Sequence, residues 1–154
     1  MAQEIERKFL LASDKWRSGA EGRQYRQGYL STDKARTVRV RIVGERGLLT
    51  IKGLTRGISR LEFEYDIPLE DATRLLDELC HRPLIEKTRY VVTHGGLTWE
   101  IDEFHGDNAG LIVAEVELAS EDQEIKLPEW VGAEVSGDAR YYNSNLAQHP
   151  FSKW

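Results

Sequence analysis

Apolar and polar residues alternate with a period of two through most of the chain up to residue 119, the pattern of β-strands rather than helices. The alternation predicts eight strands, near residues 3–11, 23–31, 36–43, 47–54, 59–67, 84–93, 97–104 and 111–119. Turn residues separate them: Asp33-Lys34, Gly44-Glu45-Arg46-Gly47 and His94-Gly95-Gly96 all read as hairpin turns. Hairpins join antiparallel neighbours, so the sheet is expected to be largely a meander. Two helical pieces interrupt it. Ser13-Asp14 can cap a short turn through Trp16, and Pro68 opens an amphipathic helix over 69–79 with Leu75, Leu76 and Leu79 on one face. Beyond residue 120 the pattern turns helical, with a segment opened by Pro128 that carries Trp130 and Val131. A last helix is predicted over 138–149, with Asp138 as N-cap and Tyr141, Tyr142, Leu146 and Ala147 along it.

Within the strands, charge stands where core residues would be expected. Glu4, Glu6 and Lys8 share one face while Ile5, Arg7 and Phe9 share the other. Arg39 and Arg41 flank Val40, Glu62 and Glu64 flank Phe63, Lys87 and Arg89 flank Thr88, Asp102 follows Ile101, and Glu115 and Glu117 flank Val116. Eight antiparallel strands are enough to close a barrel around one small ligand. With the charged faces turned inward, Val38, Val40, Ile42, Phe63, Tyr65, Ile67, Val116 and Leu118 point outward and need cover. The expected fold is α+β, mainly β: an eight-stranded antiparallel barrel with a polar interior, flanking helices, and a C-terminal helix as lid or plug. A second copy can cover the outer face as well as helices can, so a homodimer stays open.

The chain has 154 residues and no linker, repeat or low-complexity stretch, which describes a single domain over 1–154. A hydrophobic fraction of 40% and a charged fraction of 31% suit a soluble globular protein. The formal net charge of −5 argues against bulk attraction to nucleic acid or to an anionic membrane, so neither is expected as a partner. An anionic partner must then be drawn by a local cluster or bridged by metal. Cys80 is the one cysteine; it supports neither a disulfide framework nor a cysteine metal site and reads as a buried thiol. Glu4, Glu6, Arg7 and Lys8 interrupt the start where a signal peptide needs an apolar run, and no stretch reaches membrane-span length. The expected compartment is the cytoplasm.

A single charged residue on a strand is usually just solvated. Here like charges recur two apart, and same-sign neighbours on one face repel, so the clustering calls for a ligand or a partner strand of opposite sign. Carboxylates are hard ligands for Mg²⁺ or Mn²⁺. Arginine grips phosphate oxygens with a two-pronged fork, and lysine supplies a compact charge. Lys8, Arg39, Arg41, Lys52, Lys87 and Arg89 are the candidate phosphate-binding cations; Glu4, Glu6, Glu62, Glu64, Asp102, Glu115 and Glu117 are the candidate metal ligands. A triphosphate carries about four to five negative charges, nearly offset by two divalent ions, so a near-neutral channel can accept the complex. The GxxxxGK[ST], GxGxxG and GxSxG motifs are missing. His81, His94, His105 and His149 fall near turns or ends without ligand spacing and read as surface residues. Arg36, Arg39 and Arg41 alone suggest RNA binding, but the acidic interleaving opposes it.

Glu4-x-Glu6-x-Lys8 resembles the signature of the CYTH, or triphosphate tunnel metalloenzyme, superfamily. The resemblance runs on through Arg39-x-Arg41, Lys52, Glu62-x-Glu64, Lys87-x-Arg89, Asp102 and Glu115-x-Glu117 in the family's order, and Tyr142-Asn143-x-Asn145-Leu146-Ala147 is similar to its C-terminal helix. The short chain is most similar to the compact bacterial members. The resemblance implies an eight-stranded tunnel that binds triphosphate with Mg²⁺ or Mn²⁺, two ions in all. It implies that Arg39, Arg41, Lys52, Lys87 and Arg89 bind phosphate. Glu4, Glu6, Glu115 and Glu117, with Asp102 or one of Glu62 and Glu64, would hold metal. Lys8 is the candidate to position or deprotonate the attacking water, although its flanking carboxylates should raise its pKa. Since the assignable interior groups are all phosphate or metal groups, the expected activity is hydrolysis of inorganic tripolyphosphate to pyrophosphate and phosphate. Thiamine triphosphate or nucleoside triphosphate hydrolysis, a class IV adenylyl cyclase, a noncatalytic polyphosphate binder and a plain solvated sheet remain as alternatives.

Overall fold

The computed structural model describes residues 2–154. Eight strands form in the predicted places: β1 (Gln3–Leu11), β2 (Gly22–Ser31), β3 (Thr37–Val43), β4 (Arg46–Lys52), β5 (Ser59–Ile67), β6 (Ile85–His94), β7 (Leu97–Phe104) and β8 (Ile112–Glu117). Their order around the sheet is β5-β4-β3-β2-β6-β7-β8-β1, all antiparallel, and β1 also pairs with β5 through Gln3–Leu61, Glu4–Arg60 and Ile5–Ser59. That last ladder closes the barrel. The tight turns are legible in their glycines: Gly95 and Gly96 both have positive φ, 60° and 76°, as the two-residue turn between His94 and Leu97 requires.

Because the side-chain period of a strand is two, closure sends one set of side chains into the barrel and the other set outside. The outer apolar set is covered in two places. Helix α1 (Leu69–Arg74) continues as a π-helical turn over Leu75–Leu79 and lays Ala72, Leu76 and Cys80 against Val40, Ile42, Leu49 and Ile67. Its close approach depends on Gly47, where a Cβ would stand 2.7 Å from that of Ala72. On the opposite wall Phe9, Trp99, Ile101, Ala114 and Val116 pack with Trp16, Leu118 and Trp130. Trp16 comes from a 3-10 turn, Lys15–Arg17, whose Lys15 N–H donates to Ser13 Oγ at 3.4 Å, whereas Asp14 makes no side-chain cap. Cover is incomplete: Phe63 and Tyr65 on the outside of β5 remain 40% and 56% exposed.

A third apolar cluster lies at one end of the barrel and explains how the end is plugged. Tyr29, Ile85, Phe104 and Val113 meet Tyr141, Leu146 and Ala147 of the C-terminal segment. That segment is not the single helix expected over 138–149. It is a 3-10 turn, Ala139–Tyr141, followed by α2 (Asn143–Gln148), with Tyr142 extended between them at φ −69°, ψ 132°. The break turns Tyr141 into the plug and Tyr142 toward the barrel interior. Asp138 does cap the turn, accepting from the Arg140 N–H at 3.0 Å.

The helix expected after Pro128 is absent and a ninth strand, β9 (Val131–Glu134), takes its place beside β1. The far end of β1 runs past β5 and would leave its backbone groups without partners; β9 satisfies them. Gly132 allows the approach, since a Cβ there would stand 3.2 Å from the Leu10 carbonyl oxygen. The rest of the stretch from 120 to 130 is irregular rather than helical. Among the described residues no helix is long and apolar enough to cross a membrane.

Candidate active site

The inward faces of the strands enclose a cavity of about 330 Å³. Glu4, Glu6 and Lys8 reach it from β1, Arg39 and Arg41 from β3, Lys52 from β4, Glu62 and Glu64 from β5, Lys87 and Arg89 from β6, and Glu115 and Glu117 from β8. The strand pattern therefore brings together every charged residue singled out in the sequence except Asp102, which is not among the lining residues. Asp102 lies behind the wall, 1% exposed, accepting from Lys87 Nζ at 2.7 Å and from Arg89 Nε and Nη2 at 2.7 and 2.9 Å. Three histidines, His81, His105 and His149, are exposed and His94 is half-buried; none lines the cavity.

Most of the cations are paired with carboxylates, Asp102 from behind the wall and Glu4, Glu62, Glu64, Glu100 and Glu115 from the cavity lining itself. Arg89 is fixed by Asp102 and, through Nη1, by Glu100 at 3.0 Å. Lys87 also donates to the Asn143 amide oxygen at 2.9 Å, which ties the wall to the start of α2. Arg39 reaches Thr50 Oγ1 at 3.2 Å and Glu64 at 3.6 Å, while its Nε is buried without a partner. Lys52 sits between Glu4 at 3.1 Å and Glu62 at 3.0 Å. Lys8 contacts Glu115 at 3.5 Å and donates to the Tyr141 carbonyl at 3.2 Å. Arg41 differs from all of these. Its Nε donates to Gln27 at 2.8 Å, but among the described residues no carboxylate stands within ion-pair distance of its guanidinium.

The electrostatics follow from this layout. Burial opposes the charge on Arg41, Arg39 and Arg89 repel it, and its pKa is pushed down to about 9. Burial likewise opposes the charge on Lys87, and Arg89 and Arg41 add to the effect; Asp102 offsets it only in part, leaving a pKa of about 7. For Asp102 burial is outweighed by Arg89 and Lys87, which hold the carboxyl far below the usual carboxylate range. Glu6 is raised to about 8 by burial and by the like charges of Glu115 and Glu4, and Glu62 to about 7 by burial and a hydrogen bond with Glu4. Glu4 and Glu115 are lowered to about 2: burial opposes this, but Glu62, Lys52 and Arg60 prevail at Glu4, and Lys8 at Glu115. Lys8 is raised, since Glu115, Glu6 and Asp102 overcome its burial.

Among the described residues no three Asp, Glu, His or Cys side chains form a ready metal cage. The carboxylates are nonetheless crowded enough that Glu6 and Glu62 retain protons near neutrality, a strain that a divalent cation would relieve. Mg²⁺ commonly takes a few carboxylates and completes its shell with water and substrate phosphate rather than an all-protein cage. The donor set fits such an ion.

Charge-based reading missed several lining residues. Arg60 lies 3.6 Å from Glu4, and Glu100 anchors Arg89; each is two residues before a residue already singled out, Glu62 and Asp102, and so on the same face. Extending the alternation by one step finds both. Arg23, Tyr25, Tyr29, Thr37 and Arg46 also line the cavity.

Known proteins resemble the chain over its full length. An inorganic triphosphatase from Acetivibrio thermocellus is 50% identical over 154 residues, covering 100% of this chain and 99% of the relative. An inorganic triphosphatase from Nitrosomonas europaea is 38% identical over 152 residues, covering 94% and 96%. The crystal structure of an inorganic triphosphatase superposes with a TM-score of 0.67 at 35% identity, covering 93% of this chain and 96% of that one. A putative adenylate cyclase from Bacillus halodurans, 16% identical with a TM-score of 0.63 over 79% of this chain and 84% of its own, shares the fold alone. The CYTH domain family model matches residues 2–145. A barrel closed around opposed rows of arginine, lysine and glutamate, with this match spanning nearly all of it, places the chain in the CYTH domain family.

Proposed function

We propose that the chain is an inorganic triphosphatase that hydrolyses tripolyphosphate to pyrophosphate and phosphate inside the barrel. One observation carries the reading: Arg41, buried and without a carboxylate, faces the same cavity as Arg39, Lys87 and Arg89. A buried cation without a counter-charge is costly, and a bound polyanion removes the cost. The full-length relatives named inorganic triphosphatase support the same reading.

In this reading Arg39, Arg41, Lys52, Lys87 and Arg89 grip the phosphate oxygens. Glu4, Glu6, Glu62, Glu64, Glu115 and Glu117 are the carboxylates that would hold two Mg²⁺ or Mn²⁺ ions. Such ions, when bound, neutralise phosphate charge and lower the pKa of a bound water. Asp102 serves the cations instead, keeping Arg89 and Lys87 oriented. Lys8, raised in pKa, stays an ammonium at neutral pH; it can orient a water or a phosphate oxygen but does not act as the base. The oxygen of water bonds to the terminal phosphorus as the bridging P–O bond breaks; pyrophosphate leaves with the bridging oxygen, and the proton shed by the water passes to a phosphate oxygen and on to solvent.

The test is to incubate the purified protein with tripolyphosphate, ATP and thiamine triphosphate, each with Mg²⁺ or Mn²⁺, and resolve the products. Phosphate and pyrophosphate from tripolyphosphate, lost in Glu4→Gln, are expected. Cyclic AMP from ATP, or turnover of an organic triphosphate well ahead of tripolyphosphate, would overturn the assignment.

A further inference from the structure

Tyr25 projects from β2 into the cavity, half-buried, and three cations stand around its ring. The guanidinium carbons of Arg41 and Arg89 each lie 4.8 Å from the ring centroid, and Lys87 Nζ lies at 6.0 Å. The sheet order explains the convergence. β2 runs between β3 and β6, Tyr25 is opposite Lys87, and its inward neighbours Gln27 and Arg23 are opposite Arg41 and Arg89. The two guanidiniums therefore come to the ring diagonally, one from each flanking strand.

We propose that Tyr25 is a positioning residue for the triphosphate, its ring setting Arg41 and Arg89 as a paired clamp; this rests on the triphosphatase reading above. Arg89 is fixed on three nitrogens by Asp102 and Glu100. Arg41 is fixed only at Nε, by neutral Gln27, and like charge on Arg39 and Arg89 pushes against it. Asp102, which holds Arg89 from behind, also attracts the Arg41 guanidinium, but from beyond ion-pair distance. The electron-rich face of an aromatic ring attracts cations most strongly when they are withdrawn from water, as these are. The ring thus offsets part of the repulsion between the two forks and holds both where one row of phosphate oxygens can meet them, without adding a carboxylate that would compete with the substrate.

The experiment compares Tyr25→Phe, Tyr25→Leu and a series with fluorinated phenylalanines at position 25, which weaken the ring's electron-rich face at nearly constant size. Initial rates with tripolyphosphate give kcat and KM separately, and tripolyphosphate affinity without added metal is read by calorimetry. Tyr25→Phe is expected to stay within about two-fold of wild type. Tyr25→Leu should raise KM by about ten-fold with kcat little changed, the loss of two cation–ring contacts. KM and the dissociation constant should climb stepwise with fluorine number. A purely structural ring would give a flat fluorine series, and that result overturns the proposal even if Tyr25→Leu fails to fold. Tyr25→Phe behaving like Tyr25→Leu also overturns it, since the hydroxyl would then be the active group. If wild type prefers another triphosphate, the substrate reading falls but the series is run on that substrate, because the clamp grips phosphate. Wild type neither binding nor hydrolysing any triphosphate overturns both.

Discussion

Asp102→Asn separates a carboxylate that serves the cations from one that serves a metal. Asp102 takes hydrogen bonds from Lys87 and twice from Arg89 at 2.7–2.9 Å while almost wholly buried. The amide removes the counter-charge of two buried cations and turns one acceptor into an NH₂ group facing donors. Breaking a buried ion pair in this way costs about 3–5 kcal/mol. At about 2–4 °C per kcal/mol for a domain of this size, the melting temperature falls by roughly 6–20 °C. The sign of the pH dependence is fixed: a depressed carboxyl pKa contributes stability in full above about pH 4 and loses it only as pH falls through the folded value, here far below that. The gap between wild type and variant should therefore persist from neutral pH to about pH 5. Scanning calorimetry without divalent metal, with and without tripolyphosphate, reads it. The ligand should raise the variant's midpoint more than that of wild type, because it meets uncompensated positive charge. A midpoint within about 3 °C of wild type refutes the reasoning. An unchanged midpoint with weakened Mg²⁺ binding makes Asp102 a metal ligand after all.

Arg41→Met should leave the melting temperature of the ligand-free protein unchanged or higher, since it removes an uncompensated buried charge, while kcat/KM for tripolyphosphate drops by about 10²–10³; a destabilised but fully active variant would contradict this. Lys8→Met should lose activity by the same factor at pH 7 and pH 9, because the raised pKa keeps the ammonium charged across that range; a loss seen only at alkaline pH would make Lys8 a base. Leu146→Ala, fully buried in the plug, should cost about 2–5 kcal/mol in urea unfolding, and a loss below 1 kcal/mol would mean that the end is closed without it.

The barrel and most of its site are legible in the chain because both depend on a period of two. Alternation fixes which side chains share a face, and turn residues mark the β2–β3, β3–β4 and β6–β7 hairpins, so Glu4, Glu6, Lys8, Arg39, Arg41 and their partners fall on one inner surface once the barrel closes. Depth is not legible in this way. Asp102 shares the inner face with Glu100, yet only its distances to Lys87 and Arg89 place it behind them. Non-local edges are equally hidden: β9 forms because β1 outruns β5, a fact about ladder lengths that the 131–134 stretch does not carry itself. The break at Tyr142 has a similar origin, since the plug and the cavity claim adjacent tyrosines and one helix cannot serve both. Tyr25 and Gln27 escape a search for charge because they are neutral; what they do is hold charge in place.

These arrangements share one cause. Three apolar clusters, two outside the barrel and one across its end, supply the burial that stabilises the fold. The middle of the interior is thereby released from packing duty and can be lined with ionisable groups. Most of the cations there are balanced: Lys52 by Glu4, Lys8 by Glu115, and Arg89 and Lys87 by Asp102. Arg41 is the exception, and Glu6 and Glu62, unable to ionise freely, are its acidic counterparts. A polyanion answers the first and a divalent cation the second, so a metal–triphosphate complex resolves both together where either component alone resolves one. The same logic predicts that tripolyphosphate and Mg²⁺ bind with positive coupling, each raising the affinity for the other.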